Sequence, residues 1–232
     1  MTKDISNKDV LLFIPNLIGY TRVLLGIISF VLMVFSPDNW FTAIMLYLTS
    51  FILDLFDGMA ARKFDQCSEF GGLLDMITDR CATLGLCFVL YGEYGATTNE
   101  YFAWFKILFM MLALLDISSH WCQMYSAAAL QVHHKSSEGN ANKFFLVRYY
   151  YQSYPFFGYC CVSAEVTYIT MYALAHATVE KDEQLLIDIV KYILYFCIPG
   201  CVTKQIVNVF QLSTSCNAVA ANDAMQRKNK RT

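Results

Sequence analysis

Long apolar runs alternate with short polar segments along the whole chain of 232 residues. The apolar runs cover approximately residues 9–35, 40–61, 70–91, 101–130, 149–177 and 185–212. A helix needs about 20 apolar residues to cross a bilayer, and each run is near that length. Proline interrupts helices, so Pro15 is expected to separate a short interfacial helix from the first span. The pattern predicts six transmembrane helices with this short helix at the N-terminus.

The composition agrees with a membrane protein, because 56% of the residues are hydrophobic and only 16% are charged. Soluble domains have about 25% charged residues. We predict an all-α integral membrane protein with one domain over residues 1–232, including a polar N-terminus at 1–10 and a polar, basic tail at 217–232. The net charge of −2 gives no indication of nucleic-acid binding. The nine cysteines lie mostly in apolar runs, where they are predicted to be small apolar residues rather than disulfides or zinc ligands.

Lysine and arginine are distributed unevenly between the polar segments. One side of the predicted membrane has only Lys181 clear of the spans. The other side has Lys3, Lys8, Arg62, Lys63, Lys135, Lys143, Arg148, Arg227, Lys228, Lys230 and Arg231. Cytosolic loops carry the excess of these residues, so both termini and the facing ends of the second and third spans are predicted to be cytosolic. Residues 228–232 resemble a retrieval signal of the endoplasmic reticulum, or are an ordinary basic tail.

The segment between the second and third runs keeps four aspartates at helical spacing. Asp54 and Asp57 are three residues apart, and Asp75 and Asp79 are four apart, so each pair shares one helix face. An aspartate at the centre of a membrane helix costs about 2.5–3.5 kcal/mol, which indicates that these residues have a function. Two antiparallel helices would aim both pairs into one pocket, and divalent cations would relieve the repulsion. Oxygen ligands favour Mg²⁺ or Mn²⁺ over Zn²⁺.

Two such ions, about 3.5–4 Å apart, are typical of sites that stabilise attack and departure at phosphorus. Three glycines, Gly58, Gly71 and Gly72, would let a phosphate-bearing ligand approach the backbone. Arg62 offers a planar fork of donors for phosphate. For Arg22, inside the first span, two interpretations remain open. Its side chain extends to the membrane interface, or it faces the acidic pocket and contacts phosphate.

The acidic segment reads Asp54-x2-Asp57-Gly58-x2-Ala61-Arg62-x8-Gly71-x3-Asp75-x3-Asp79. At every defined position it resembles the signature of the CDP-alcohol phosphotransferase family. The resemblance implies that family's fold, a homodimer, and release of CMP from a CDP-linked donor. The segments 13–22, 73–81 and 115–121 resemble the members that use myo-inositol. The expected reaction therefore transfers the phosphatidyl group of CDP-diacylglycerol to myo-inositol, giving phosphatidylinositol and CMP, in the endoplasmic reticulum membrane.

The same resemblance implies the roles of the acidic residues. Asp54, Asp57 and Asp75 are expected to hold one ion, and Asp54, Asp75 and Asp79 a second, each ion being Mg²⁺ or Mn²⁺. Asp79 is also expected to take the proton from the attacking inositol hydroxyl. The head of CDP-diacylglycerol is expected to contact Gly58, Arg62 and Ser68.

The residues that would bind inositol are less well marked. Lys135 and Arg148, at the ends of the fourth and fifth runs, are candidates, although Lys135 is equally consistent with a charge that anchors the chain at the membrane surface. Asp116 either lines the inositol pocket or joins a hydrogen-bond cluster with Ser119 and His120, and for His120 we favour the cluster. Arg80 follows Asp79 on another helix face and is predicted to be structural or an ion-pair partner.

Two other functions remain alternatives at this point. The same chemistry could act on another alcohol, such as glycerol 3-phosphate or serine. The chain could also be a non-catalytic membrane scaffold or an ion-binding transporter. The complete set of aspartates, together with Gly58 and Arg62, argues against this second alternative.

Overall fold

The computed structural model describes residues 6–95, 100–130, 149–150, 152–177 and 184–230, and these residues contain no strand. Its helices are α1 (Asn7–Leu11), α2 (Ile14–Phe35), α3 (Trp40–Lys63), α4 (Glu69–Gly95), α5 (Glu100–Leu130), α6 (Tyr154–His176) and α7 (Gln184–Asn229). A single 3₁₀ turn, Pro37–Asn39, joins α2 to α3. The prediction of an all-α protein is confirmed.

Local sequence signals set several helix ends. Ser6 caps α1 through a reciprocal capping box, in which its hydroxyl accepts from the Asp9 amide and the Asp9 carboxylate accepts from the Ser6 amide. Pro15 lies in the first turn of α2, where a missing amide proton costs nothing, so the short helix and the first span are separate as predicted. Pro155 takes the same position in α6, which begins at Tyr154, five residues later than predicted.

The last helix differs from the prediction. We expected the sixth run to end near residue 212 and a polar tail to follow, but α7 continues to Asn229 and is 46 residues long. The segment 213–229 contains neither proline nor glycine and is rich in alanine, which has the highest helix propensity. The polar tail is therefore mostly a continuation of the helix rather than a separate segment.

Within the part of the chain that the structure describes, four segments are long and apolar enough to cross a membrane, which indicates an integral membrane protein. They are Ile14–Phe35, Pro37–Lys63, Ala103–Leu130 and Gln184–Asn229. The helices α4 and α6 do not belong to this set, so six spans remain a prediction. In α4 the reason is visible in the sequence, because Asp75, Asp79 and Arg80 interrupt the apolar pattern.

The helices form a bundle in which α2 packs against α3 and α4, α4 against α5 and α6, and α7 against α5 and α6. Serine side chains allow α2 and α3 to approach closely. Ser29 donates to the Ala43 carbonyl at 2.7 Å, and Ser50 donates to the Arg22 carbonyl at 2.9 Å. Apolar side chains such as Leu24 remain exposed on the outside of the bundle, as expected for a surface in contact with lipid.

Helix α6 lies in the centre of the bundle, and this position explains its polar character. Its buried Glu165 is 2.7 Å from the Tyr47 hydroxyl of α3 and 2.5 Å from the Thr83 hydroxyl of α4. A helix that is surrounded by other helices can place polar groups against protein partners instead of lipid. Tyr168 and Tyr172 from the same helix are among the largest fully buried side chains.

The contact between α6 and α7 yields a stability prediction. A Cβ atom at Gly200 would lie 2.6 Å from the Cβ atom of Ser163, which is too close for either backbone to accommodate freely. We expect Gly200→Ala to destabilise the protein by about 1–3 kcal/mol, the usual cost of overpacking. Thermal unfolding of the purified protein in detergent measures this effect as a lower Tm.

Gly158→Ala in α6 is the matched control for this substitution, because nothing lies within 4 Å of its Cβ position. Alanine is more favourable than glycine in a helix by about 1 kcal/mol, so the control should unfold at the wild-type temperature or above it. Equal Tm values for Gly200→Ala and the wild type would contradict the close packing of α6 on α7.

Candidate active site

The four aspartates lie where α3 ends and α4 begins. A tight turn reverses the chain between these helices. The Phe64 amide donates to the Ala60 carbonyl and the Gln66 amide to the Ala61 carbonyl, both at 2.9 Å, while Asp65 adopts a left-handed φ of 52°. Gln66 also accepts from the Ile14 amide at 2.9 Å, which attaches the turn to the start of α2. The turn therefore aims both acidic faces toward α2.

The acidic pairs meet around one side chain of α2, that of Arg22. Its Nη1 is 2.5 Å from Asp57 Oδ2 and 3.0 Å from Asp75 Oδ1. Its Nη2 is 2.5 Å from Asp54 Oδ1 and 2.7 Å from Asp79 Oδ1. The side chain is only 3% exposed. The interpretation that Arg22 extends to the membrane interface is wrong, because its guanidinium lies among the four aspartates instead.

The carboxylates are suitable for a divalent metal. Asp54, Asp57 and Asp75 each offer one oxygen, and these three atoms all lie within 4.8 Å of one another. Hard oxygen ligands of this kind fit Mg²⁺ and Mn²⁺. The trio coincides with the first of the two ligand sets expected from the sequence. Asp79 lies outside the trio and is joined to it through Arg22.

A cavity of about 210 Å³ opens beside these carboxylates. It is lined by Pro15, Asn16, Gly19, Asp57, Gly58, Ala61, Arg62, Gln66, Cys67, Ser68, Gly71, Gly72, Leu74 and Asp75. The structure thus brings Gly58, Arg62 and Ser68, the residues expected to contact the donor head, to one wall with two of the aspartates. A Cβ atom at Gly58 would lie 3.5 Å from Arg62 Nη1, so the glycine leaves this part of the wall open.

Ser68 has a structural function as well as its place in the cavity. Its Oγ accepts from the Gly71 amide at 3.0 Å and so caps the first turn of α4. The hydroxyl proton is not used in this bond and can be donated to a ligand. Asn16, also in the wall, is 1% exposed and donates to the Val10 carbonyl at 2.6 Å. Its side-chain oxygen would be 3.1 Å from a Cβ atom at Gly71, so the glycine permits α2 and α4 to approach here.

A second cluster of charged groups lies on the opposite side of Asp79. Arg80 Nη1 is 2.8 Å from both carboxylate oxygens of Asp116, and Arg80 Nη2 is 3.6 Å from Asp79 Oδ2. Lys204 Nζ is 3.5 Å from Asp116 Oδ1, and Asn208 donates to the same oxygen at 3.4 Å. Asp116 is 4% exposed and Lys204 5%. The prediction that Arg80 is an ion-pair partner is confirmed.

Sequence reasoning missed Lys204 and Asn208 as partners of Asp116, although a lysine within the last apolar run was a visible signal. The expected polar cluster around Asp116 is present: Ser119 donates to the Asp116 carbonyl at 3.0 Å, and His120 Nδ1 is 2.8 Å from the same oxygen. These contacts support the hydrogen-bond interpretation for His120. The two basic candidates for inositol binding, at positions 135 and 148, lie outside the described residues.

Comparisons with known proteins agree with this geometry. The sequence model of the family described as CDP-alcohol phosphatidyltransferase matches residues 12–180. An Arabidopsis thaliana protein named probable CDP-diacylglycerol–inositol 3-phosphatidyltransferase 2 is 38% identical over 96% of this chain and 96% of its own length. Proteins named CDP-diacylglycerol–inositol 3-phosphatidyltransferase from Rattus norvegicus and Homo sapiens are 35% and 34% identical, each over 97% of this chain and 99% of their own. No solved structure gives a significant match.

The buried cluster around Asp116 leads to a second stability prediction. Asp116→Ala leaves the charges of Arg80 and Lys204 without their buried partner, and breaking a buried ion pair in this way costs about 3–5 kcal/mol. We expect a marked loss of thermal stability or of folded protein after solubilisation. Asp188→Ala is the control, because Asp188 and Lys191 form a pair at 3.9 Å with 46% and 47% exposure. Exposed pairs contribute about 0–1 kcal/mol, so a similar loss in both variants would contradict the prediction.

Proposed function

This chain belongs to the CDP-alcohol phosphatidyltransferase family, and from this premise we propose that it transfers the phosphatidyl group of CDP-diacylglycerol to myo-inositol, giving phosphatidylinositol and CMP. The observation that supports this most directly is the cavity at the ends of α3 and α4. It combines Asp57 and Asp75, two members of the carboxylate trio suited to a divalent metal, with an arginine, a serine hydroxyl and an open glycine wall. These are the groups that a diphosphate-linked donor requires.

The donor head is proposed to lie in this cavity with its diphosphate beside the acidic pocket. Arg62 offers its fork of donors to a phosphate, Ser68 donates its hydroxyl proton, and Gly58 contributes space. Arg22 is also a proposed phosphate contact, although its guanidinium is engaged with the four aspartates. Mg²⁺ or Mn²⁺ ions, two per site, held by Asp54, Asp57, Asp75 and Asp79, would neutralise the diphosphate and stabilise the departing CMP.

Asp79 is proposed as the base. Its Oδ1 contacts Arg22 and its Oδ2 faces Arg80 at 3.6 Å, so two cations from different helices hold the carboxylate in one orientation. Asp79 takes the proton of an inositol hydroxyl as the hydroxyl oxygen bonds to the phosphorus that carries diacylglycerol. The bond from that phosphorus to the bridging oxygen then breaks, and CMP leaves. Holding the reacting groups in place supplies much of the acceleration in such transfers.

The acceptor is proposed to bind on the Asp116 side of Asp79, with Lys135 and Arg148 contributing from outside the described residues. Both carboxylate oxygens of Asp116 are bonded to Arg80, so Asp116 is proposed to act there by holding Arg80 next to the base. The membrane setting that we propose is six spans in the endoplasmic reticulum, with both termini and the acidic site in the cytosol, and a homodimer. The excess of lysine and arginine on one side supports this orientation.

CMP release by the purified protein tests the proposed reaction. The protein is given CDP-diacylglycerol, Mg²⁺ or Mn²⁺, and one of three alcohols: myo-inositol, glycerol 3-phosphate or serine. We expect release that requires both the metal and myo-inositol. Asp79→Asn should lower the rate by about 100-fold or more, in line with the 10²–10⁴-fold contribution of a positioned base. The distant Asp188→Asn should retain the wild-type rate.

Each other outcome of this assay excludes part of the proposal. Release with glycerol 3-phosphate or serine in place of myo-inositol would keep the acidic site and replace the acceptor. Absence of release with every alcohol, from folded and metal-loaded protein, would favour a non-catalytic membrane protein. Full activity of Asp79→Asn would show that another group takes the proton.

The donor cavity gives a separate prediction. Gly58→Val would place two methyl groups where the cavity wall is open, close to Arg62. We expect KM for CDP-diacylglycerol to rise about tenfold, which corresponds to about 1.4 kcal/mol of lost binding, while KM for myo-inositol stays the same. Gly92→Val is the control. Gly92, like Gly58, is a helical glycine, but it lies far from the cavity and has nothing within 4 Å of its Cβ position. An equal rise of both KM values would contradict a donor-specific role for Gly58.

A further inference from the structure

Arg22 occupies the centre of the acidic pocket in a regular way. Each terminal nitrogen of its guanidinium bridges one carboxylate of α3 and one of α4. Nη1 joins Asp57 to Asp75, and Nη2 joins Asp54 to Asp79, with all four distances between 2.5 and 3.0 Å. The two bridges together hold α3 and α4 at a common spacing on either side of α2. A single side chain thus connects every acidic residue of the site.

The oxygens that Arg22 contacts belong to the same carboxylates that are suited to hold a metal. Mg²⁺ binds oxygens at about 2.0–2.1 Å in a nearly octahedral arrangement, which requires the ligand atoms to point at the ion. Asp57 and Asp75 each direct one carboxylate oxygen at Arg22 Nη1, so a metal that used these oxygens would compete with the guanidinium for them. Arg22 and a metal held by the trio would therefore compete for the same three carboxylates.

The charge of the pocket leads to the same conclusion. The four carboxylates face Arg22, and Asp79 also faces Arg80, which is shared with Asp116, so a surplus of negative charge remains. The hydrogen bonding of the Arg22 side chain is also incomplete, since its buried Nε–H has no acceptor among the described residues. A buried donor without a partner costs free energy. Among the described residues, the guanidinium is thus held through its two terminal nitrogens.

We propose that Arg22 is the resident counter-ion of this pocket before metal is bound, and that a divalent metal displaces it from the carboxylates. This inference rests on the metal dependence proposed above. In the metal-free protein Arg22 keeps α3 and α4 together by bridging their aspartates. Asp54, Asp57 and Asp75 would hold the metal in its place, and the guanidinium would then be released. Side chains of a helix lean toward its N-terminus, which for Arg22 is the direction of Gly19 in the cavity wall.

Two substitutions at this position separate bridging from charge. Arg22→Lys keeps the positive charge but replaces the planar fork with a single ammonium, which cannot bridge both pairs at once. Arg22→Gln removes the charge as well. The full-length protein is purified in detergent and stripped with EDTA, and the binding of Mn²⁺ is measured from the electron paramagnetic resonance signal of the free ion. Lys63→Gln, an exposed residue near the end of α3, is the control for loss of one nearby charge.

Displacement of Arg22 predicts tighter metal binding in both variants. We expect the Kd for Mn²⁺ to fall about tenfold in Arg22→Lys and further in Arg22→Gln, because the metal no longer has to break the bridges. In EDTA both variants should unfold at least about 2 °C below the wild type, while saturating Mn²⁺ should reduce this difference. Lys63→Gln should match the wild type in both measurements.

Equal or weaker Mn²⁺ binding by Arg22→Lys would overturn the proposal. If Arg22→Lys does not fold, the proposal is tested on crystals of the wild-type protein with Mn²⁺, in which anomalous scattering locates the bound ion. Manganese among Asp54, Asp57 and Asp75 with Arg22 still bridging all four aspartates would also overturn it. If the wild type binds no Mn²⁺, both the proposed metal dependence and the displacement of Arg22 are wrong. If Arg22→Lys binds Mn²⁺ as the wild type does, only the displacement of Arg22 is wrong.

Discussion

The structure depends on the balance of charge at a single point in the bundle, where α2, α3 and α4 meet. Four carboxylates at this point repel one another. A cation among them reduces this repulsion. The fold places Arg22 between them, at 2.5–3.0 Å from all four residues. Arg22 thus links α2 to both α3 and α4 at this point.

A second layer of buried charge lies next to the first and obeys the same rule. Asp116 is compensated by Arg80 and Lys204, while Glu165 receives hydrogen bonds from α3 and α4. Buried ion pairs contribute little net stability, because removing both charges from water is expensive. These ion pairs nevertheless determine which faces of α4, α5 and α7 lie against one another. Helices α4 and α6 contribute several of these charged and polar side chains. Each of the two helices packs against three other helices of the bundle.

The sequence predicted the helices better than their contacts. The apolar runs located α2, α3 and α5 to within a few residues, and the spacing of the aspartates predicted their convergence. The pairing of Asp116 with Lys204, 88 positions later, was missed, and so was Glu165. Periodicity defines which residues share a face of one helix, but not how that helix is rotated against its neighbours. For Arg22 both a membrane-facing and a pocket-facing position agreed with the pattern, and only the bundle distinguishes them.

The two layers of charge are joined by adjacent residues of α4. Successive residues of a helix are about 100° apart, so Asp79 faces Arg22 on α2 while Arg80 faces Asp116 on α5. Asp79 and Arg80 also contact each other at 3.6 Å, which connects the two clusters of charged groups. Any rotation of α4 that improved one layer would pull the other apart, because both residues would turn by the same angle. The orientation of the proposed base is therefore determined by partners on both sides of the helix, and α5 and α7 contribute to the site without lining its cavity.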